Sequence, residues 1–494
     1  MVRRVLGGAL IGMAATTFAA ASLAEEPHDN WHQWRGPDAN GFAARGNPPV
    51  EWSEEKNIKW KVAIPGRGSS TPIIWGDRIF ILTAIKSDRE GQPGEQAARA
   101  HSPASPFRLA AFADGDAAPS EQPAATDAPA AGAPPAGAPP AVDNRGRGRG
   151  GRNPWNIPQP TNFHQFIVMC LDKNTGKTLW ERTATEQVPH EGHHQTGSFA
   201  AGSPITDGEF VYCSFGSFGI FCYDMDGNLQ WQTDLGDMRM RASFGEGASP
   251  ALHGDSLVVN WDHEDGSKVY VLDARTGEVK WQKDRDEAST WNTPLVTEFD
   301  GRTQVILNGQ TRVRSYDLAT GELLWECGGQ TGNPIPSPMR HGDRAICVSG
   351  FRGAAAYAIP LDAEGDITDT EEIAWRHTQG TPYVSCAAIV GDRIYFTKDR
   401  AAIVSCLDVN TGEPIISQKR LPAIDDIYAS PVAVADRIYI TGRNGATVVL
   451  DTTKDEVAVL AENQLDDVID ASPAIVGDEI FIRGEKNLYC IAAE

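Results

Sequence analysis

The stretch Leu272-Asp273-Ala274-Arg275-Thr276-Gly277-Glu278-Val279-Lys280-Trp281 decides the fold, because it recurs. The same order of Asp, Thr-Gly and Trp returns from Leu171-Asp172 to Gly176 and Trp180, and from Tyr316-Asp317 to Gly321 and Trp325. A shorter version ends at Trp231 and a longer one at Trp375. The Asp accepts bonds from the amides of a tight turn while the Gly takes positive φ, so each copy reads as strand, turn, strand. The Trp that follows carries a ring large enough to pack between neighbouring sheets.

Upstream of each copy stands a Ser/Thr-Pro-aliphatic strand, as in Thr71-Pro72, Ser203-Pro204, Ser249-Pro250, Thr293-Pro294, Ser337-Pro338, Ser430-Pro431 and Ser472-Pro473, with Ser385-Cys386-Ala387 filling the gap without proline. A Gly-Asp turn and a second alternating strand come next, as at Gly76-Asp77 and Gly391-Asp392. The whole unit recurs at about 42–49 residues, the length of one four-stranded propeller blade. In the sixth and seventh units the Trp position falls to Ile416 and Val459, so those junctions are expected to be less well anchored. The last unit ends at Tyr489-Cys490-Ile491 without a fourth strand, and Asn57 to Val62, with Trp60, supplies one. Closure of this kind removes the open sheet edge. The expectation is an all-β, eight-bladed propeller of four-stranded antiparallel blades over residues 57–494, closed by an N-terminal strand.

The Asp-x-x-Thr-Gly-x-x-x-Trp unit resembles the tryptophan-docking repeat of the pyrroloquinoline-quinone-like (PQQ-like) β-propeller family, over nearly all of the chain from residue 57 onward. That family includes quinoprotein alcohol dehydrogenases and the lipoprotein subunit of the outer-membrane barrel assembly machine. The resemblance implies the fold and leaves function open, because one fold hosts many sites. Its enzymes imply a PQQ cofactor with calcium held by Glu, Asn and Asp, a catalytic Asp, and a pair of adjacent cysteines. No two cysteines are adjacent here, and no Cys-x-x-Cys-His haem site occurs.

Arg3 and Arg4, an apolar run from Val5 to Ala21 and Ser22-Leu23-Ala24 read as a signal peptide over residues 1–24, so a soluble periplasmic or secreted protein is expected, without a lipid-anchor cysteine. Residues 25–56, with Trp31-His32-Gln33-Trp34, are expected to pack on the ring as a flap. Residues 87–160, rich in Ala, Pro and Gly and ending near the Arg/Gly tract Arg145 to Arg152, read as a disordered insertion in blade 1. A formal charge of −22 argues against a nucleic-acid partner. No later segment is apolar enough to span a membrane, and a monomer is expected.

The eight cysteines mostly occupy one place in similar strands, as small buried residues do, although Cys213 and Cys222 flank a turn and can face each other across a hairpin. His190-Glu191-Gly192-His193-His194 matches the letters of a zinc-peptidase motif, but Pro189 and Gly192 place it in a loop, and a zincin needs a helix to align its histidines. What remains is a weak metal reading for His190, His193 and His194. The acidic stretches Asp262 to Gly266 and Asp362 to Glu372 are expected to be solvated turns.

Loops that lead into the innermost strands line one mouth of a propeller channel, and ligand sites sit there. They offer Arg67, Arg239, Arg241, Glu246, Trp291, Asn292, Asn333, Tyr383, Asp426, Tyr428 and Asp470. Glu246, Asn292 and Asp426 are the residue types a calcium ion would need. With a strong repeat and no complete catalytic set, the expected function is a non-catalytic scaffold that binds a protein or peptide partner in the cell envelope, with no catalytic residue assigned and no cofactor expected. The alternatives are a PQQ-dependent alcohol dehydrogenase and a glycan-binding propeller resting on the rim aromatics.

Overall fold

The computed structural model describes residues 27–97, 157–398 and 400–493. The expected signal peptide and all but the two ends of the expected insertion lie outside them. Eight antiparallel blades form a ring. Blade 3 is typical, with Ala251–His253 innermost, then Ser256–Trp261, Lys268–Asp273 and Val279–Asp284. Blade 1 is taller, because Arg78–Glu90 pairs with Asn162–Asp172, and Thr178–Gln187 follows. Blade 8 takes Ile58–Ala63 as its outer strand, paired antiparallel with Asn487–Ala492, which closes the ring as the sequence anticipates. Among the described residues no helix is long and apolar enough to cross a membrane.

The recurring motif is an inter-blade clamp. Asp273 Oδ1 accepts the N–H groups of Arg275 and Thr276, both at 2.9 Å. Gly277 lies at φ 75°, and a Cβ there would come within 2.5 Å of the Trp231 ring of the preceding blade. Trp231 Nε1 then donates to Ala274 O at 2.8 Å. Trp60, Trp180, Trp281 and Trp375 repeat the bond to the carbonyl of Lys173, Met225, Leu318 and Val409. Trp325 donates instead to Gln304 Oε1, and Gln304 Nε2 passes the link to Leu361 O.

The two junctions that lack a Trp are anchored by other means. In blade 6, Ile416 holds the Trp register, opposite Cys406, and the hydroxyl of Tyr395 reaches Thr452 O at 3.3 Å. In blade 7 the register places Ala461, not Val459, opposite Val449, because the turn after Asp451 is two residues longer than in blade 3: Asp451 N donates to Ala458 O, whereas Asp273 N donates to Glu278 O. Trp52, from outside the repeat, stacks on Tyr439 with centroids 6.1 Å apart, as Trp180 packs on Phe80 in blade 1. Its main-chain N–H donates to Asn463 Oδ1 at 2.7 Å.

A second belt runs round the channel. The N–H of each Ser/Thr-Pro residue donates to the hydroxyl of its counterpart in the next blade, from Thr71 to Ser203 at 2.9 Å round to Ser430 and Ser472 at 2.9 Å. Cys386 holds the position in blade 6, and its Sγ accepts from Ser337 at 3.3 Å. The belt breaks between blades 8 and 1, where Thr71 Oγ1 is buried without a partner and Arg483 Nη1 bonds Ser70 Oγ and Leu82 O, both at 2.6 Å.

Residues 27–56 form a strap beneath the ring. Trp31 exchanges backbone bonds with Ile74 in blade 1, Thr206 N in blade 2 donates to His32 O, Arg35 Nη2 donates to Ala387 O in blade 6, and Ala433 N in blade 7 donates to Gly41 O. Blades 2 and 6 face each other across a ring of eight, so the chain between His32 and Arg35 crosses the channel. Gly41, at φ 81°, sits where a Cβ would lie 2.0 Å from Arg35 Nη2.

Two further expectations are corrected. Register pairs Cys213 with Phe221 and Cys222 with Tyr212, and this one-residue offset puts the two sulfurs on opposite faces of the blade; all eight cysteines are free and buried. Asp262 is not solvated: it is 1% exposed and forms a buried pair with Arg285 at 2.8 Å. In the other acidic stretch, Gly365–Asp366 adds a parallel fifth strand to blade 4.

Candidate functional site

With the strap across one mouth, the other opens into a well of about 800 Å³ whose lining runs from Trp34 at the strap to the loops at the top of the blades. Its wall carries the belt hydroxyls of Ser249, Thr293, Ser337, Ser430 and Ser472, and its rim is aromatic. Phe351 and Tyr383 lie 4.9 Å apart, and Trp291 is fixed by Nε1 donating to Gly245 O at 2.7 Å. Of the left-handed non-glycine residues, Ala242, Ser243, Asn333, Arg352 and Arg400 lie in loops at this end, and others lie in the strap and in distant turns, such as Arg35, Asp300 and Ala435. Each such residue costs roughly 1 kcal/mol or more, and such positions concentrate at functional sites.

The rim residues named from sequence divide into two groups. Glu246, Trp291, Tyr383, Tyr428, Asp470 and His194 line the well. Arg67 lies beside it at the seam of blades 8 and 1, paired with Glu485 at 3.6 Å. Arg241 is exposed, with Nη1 3.4 Å from Gln310 Oε1, and Arg239 turns to Asp265. Asn292 and Asn333 are buried, and both ends of the Asn292 amide bond Asn308.

The oxygens that a calcium ion would need are engaged separately. Glu246 accepts Ser217 N at 2.8 Å and Ser217 Oγ at 2.6 Å, and burial pushes its carboxyl up to about 7 against those bonds. Asp426 Oδ1 accepts Arg400 N and Ile427 N, in blade 7, away from the blade 2–3 junction that holds Glu246. Asn292 is fully buried, its side-chain amide bonded to Asn308 and its main-chain carbonyl to Asn260 Nδ2. The trio does not converge, so it does not fit a calcium-bound quinone, and no chemical step is derived through that group.

The three histidines also point apart. His190 Nε2 contacts Met238 O at 2.8 Å, His193 packs edge-on against Phe199 at 4.6 Å, and His194 faces Phe244 at 5.6 Å. Burial holds the rings of His193 and His194 below the ordinary imidazole range, and Arg400 and Arg443 add to this at His194. Among the described residues no three His, Cys, Asp or Glu side chains gather into a metal-binding group. The segment is a loop, as its Pro and Gly require.

Sequence reasoning missed Phe244, Phe351, Arg352, Lys398, Arg400 and Trp34. The first five sit in or beside loops between the second and third strands of a blade, or in the loop before an inner strand, and none carries a motif. Trp34 was visible in the Trp-rich extension, but only the strap's path brings it under the channel.

Comparison with known proteins agrees with this architecture. The family described as outer membrane protein assembly factor BamB matches residues 164–418. Curated proteins provide no match. Among solved structures, BamB from Moraxella catarrhalis is similar at 14% identity over 66% of this chain and 89% of that one, with a TM-score of 0.49. The quinohemoprotein alcohol dehydrogenase ADHIIG from Pseudomonas putida HK5 is similar at 9% identity over 94% of this chain and 80% of that one, with a TM-score of 0.55, a likeness of fold. Because the match to residues 164–418 takes in just over half of its length, the chain belongs to the BamB-like family of PQQ-like propellers.

Proposed function

We propose that the protein is an exported, non-catalytic binding propeller of the cell envelope whose well receives a segment of a partner protein. The observation that carries this reading is the well itself: a hollow of about 800 Å³ with an aromatic rim, entered from one side, on a rigid ring. Membership of a family described by an outer-membrane assembly factor supports the envelope setting. The dispersal of Glu246, Asn292 and Asp426 favours this reading over the dehydrogenase alternative.

A photo-crosslinking residue at Phe351, inside the mouth, tests the proposal in cells that export the chain, with the same residue at the exposed Leu179 on an outer strand as control. Adducts formed from position 351 and absent from 179 are expected. Saturable, calcium-dependent binding of pyrroloquinoline quinone followed by alcohol turnover with an artificial electron acceptor would overturn it.

A further inference from the structure

The whole molecule carries a formal charge of −22, yet the mouth of the well is not acidic in effect. Five charged side chains line it besides His194: Glu246, Arg352, Lys398, Arg400 and Asp470. Asp470 is neutralised by Arg443, which grips it through Nε at 2.5 Å and Nη2 at 3.2 Å. Glu246 is turned to Ser217. Arg352, Lys398 and Arg400 are exposed, and among the described residues no carboxylate oxygen lies within 4.0 Å of their charged nitrogens, although the main-chain N–H of Arg400 donates to Asp426 Oδ1 at 2.7 Å; Asp399, between the last two in sequence, lies outside those residues. Arg352 and Arg400 are also held at φ 53° and 58°, backbone that an L-residue seldom adopts.

Below these cations the belt continues the theme. The hydroxyl oxygens of Ser249, Thr293, Ser337, Ser430 and Ser472 each accept a main-chain N–H, and no acceptor for their own protons is found among the described residues. A hydroxyl with its oxygen already occupied is left as a donor. The well therefore offers, at its lip, cations whose charged groups pair with no carboxylate among the described residues and, on its wall, O–H donors, both suited to carboxylates.

We propose that the occupant of the well is an acidic peptide segment of the partner protein, with an aromatic or aliphatic side chain beside its carboxylates to fill the space between Trp291 and Tyr383. This rests on the binding reading given above. The surrounding negative charge selects a thin tip over a broad polyanion: a nucleic acid, anionic glycan chain or anionic membrane would lie across acidic outer surface and be repelled, whereas a peptide end meets only the mouth.

Calorimetric titration of the purified full chain with three octapeptides tests it. They share one central aromatic residue and differ in their flanks, which are Glu/Asp, Gln/Asn or Lys. The acidic peptide is expected to bind at least about tenfold more tightly than the neutral one, to weaken as salt rises, and to lose about tenfold or more in a chain carrying both Arg352→Glu and Lys398→Glu with an unchanged melting temperature. Equal binding of all three peptides would overturn the acidic occupant and leave the binding reading standing. Silence from all three would overturn both.

Discussion

Glu246 is the residue whose ionisation bears most directly on the site. Its folded pKa of about 7 lies above its ordinary value of 4.5, so the stability it contributes is fully present below about 4.5 and is lost as pH rises through 7. The full loss amounts to about 3 kcal/mol, and Glu246→Gln removes the dependence. Melting curves at pH 5 and pH 8 check this: the parent chain should fall further than the variant between the two. Cys386 permits a second test, because its sulfur accepts the Ser337 N–H. Cys386→Ser keeps an acceptor and should be tolerated, whereas Cys386→Val orphans a buried donor and should cost about 1–3 kcal/mol in chemical denaturation. The Ser/Thr-Pro strand starts were legible in the sequence, and Cys386 stood visibly in their register, but the sequence did not say that the hydroxyls form a belt. That depends on the stagger of one blade against the next, which no local pattern encodes.

At the scale of elements, the strap and the odd junctions of the ring are where local pattern and structure part company. Trp52 fills the place that Ala461 leaves empty in blade 7, on the face of Tyr439. Trp52→Ala should destabilise the chain by about 3–5 kcal/mol, comparable to loss of a repeat Trp and visible as a lower melting temperature. Counting from the turn Asp, as the other units allow, points to Val459, but this unit has no Thr-Gly landmark and its turn is two residues longer, so only the strand pairing identifies the true position. Gly41→Ala would drive a methyl group into Arg35 and strain a backbone held at φ 81°. Limited proteolysis should then cut within residues 27–47 sooner than in the parent chain, with the propeller itself left intact. The blades were legible because each repeats its own turn chemistry; the strap has no repeat, so its course follows only from what it touches.

For the whole molecule, ring closure and the absence of cross-links make the ring depend on packing and main-chain bonds. All eight cysteines are free, so eight thiols should titrate in denaturant without added reductant, and few before unfolding. A lower count would contradict the register that parts Cys213 from Cys222. The number of blades and the closing strand could be read from composition and spacing; the identity of the usable mouth could not, because it depends on where residues 27–56 travel. Their crossing between blades 2 and 6 changes the topology of traffic through the ring. A pierced ring lets a chain thread through and leave on the far side; with the strap laid across that side, a segment bound as we propose would enter and withdraw by one door.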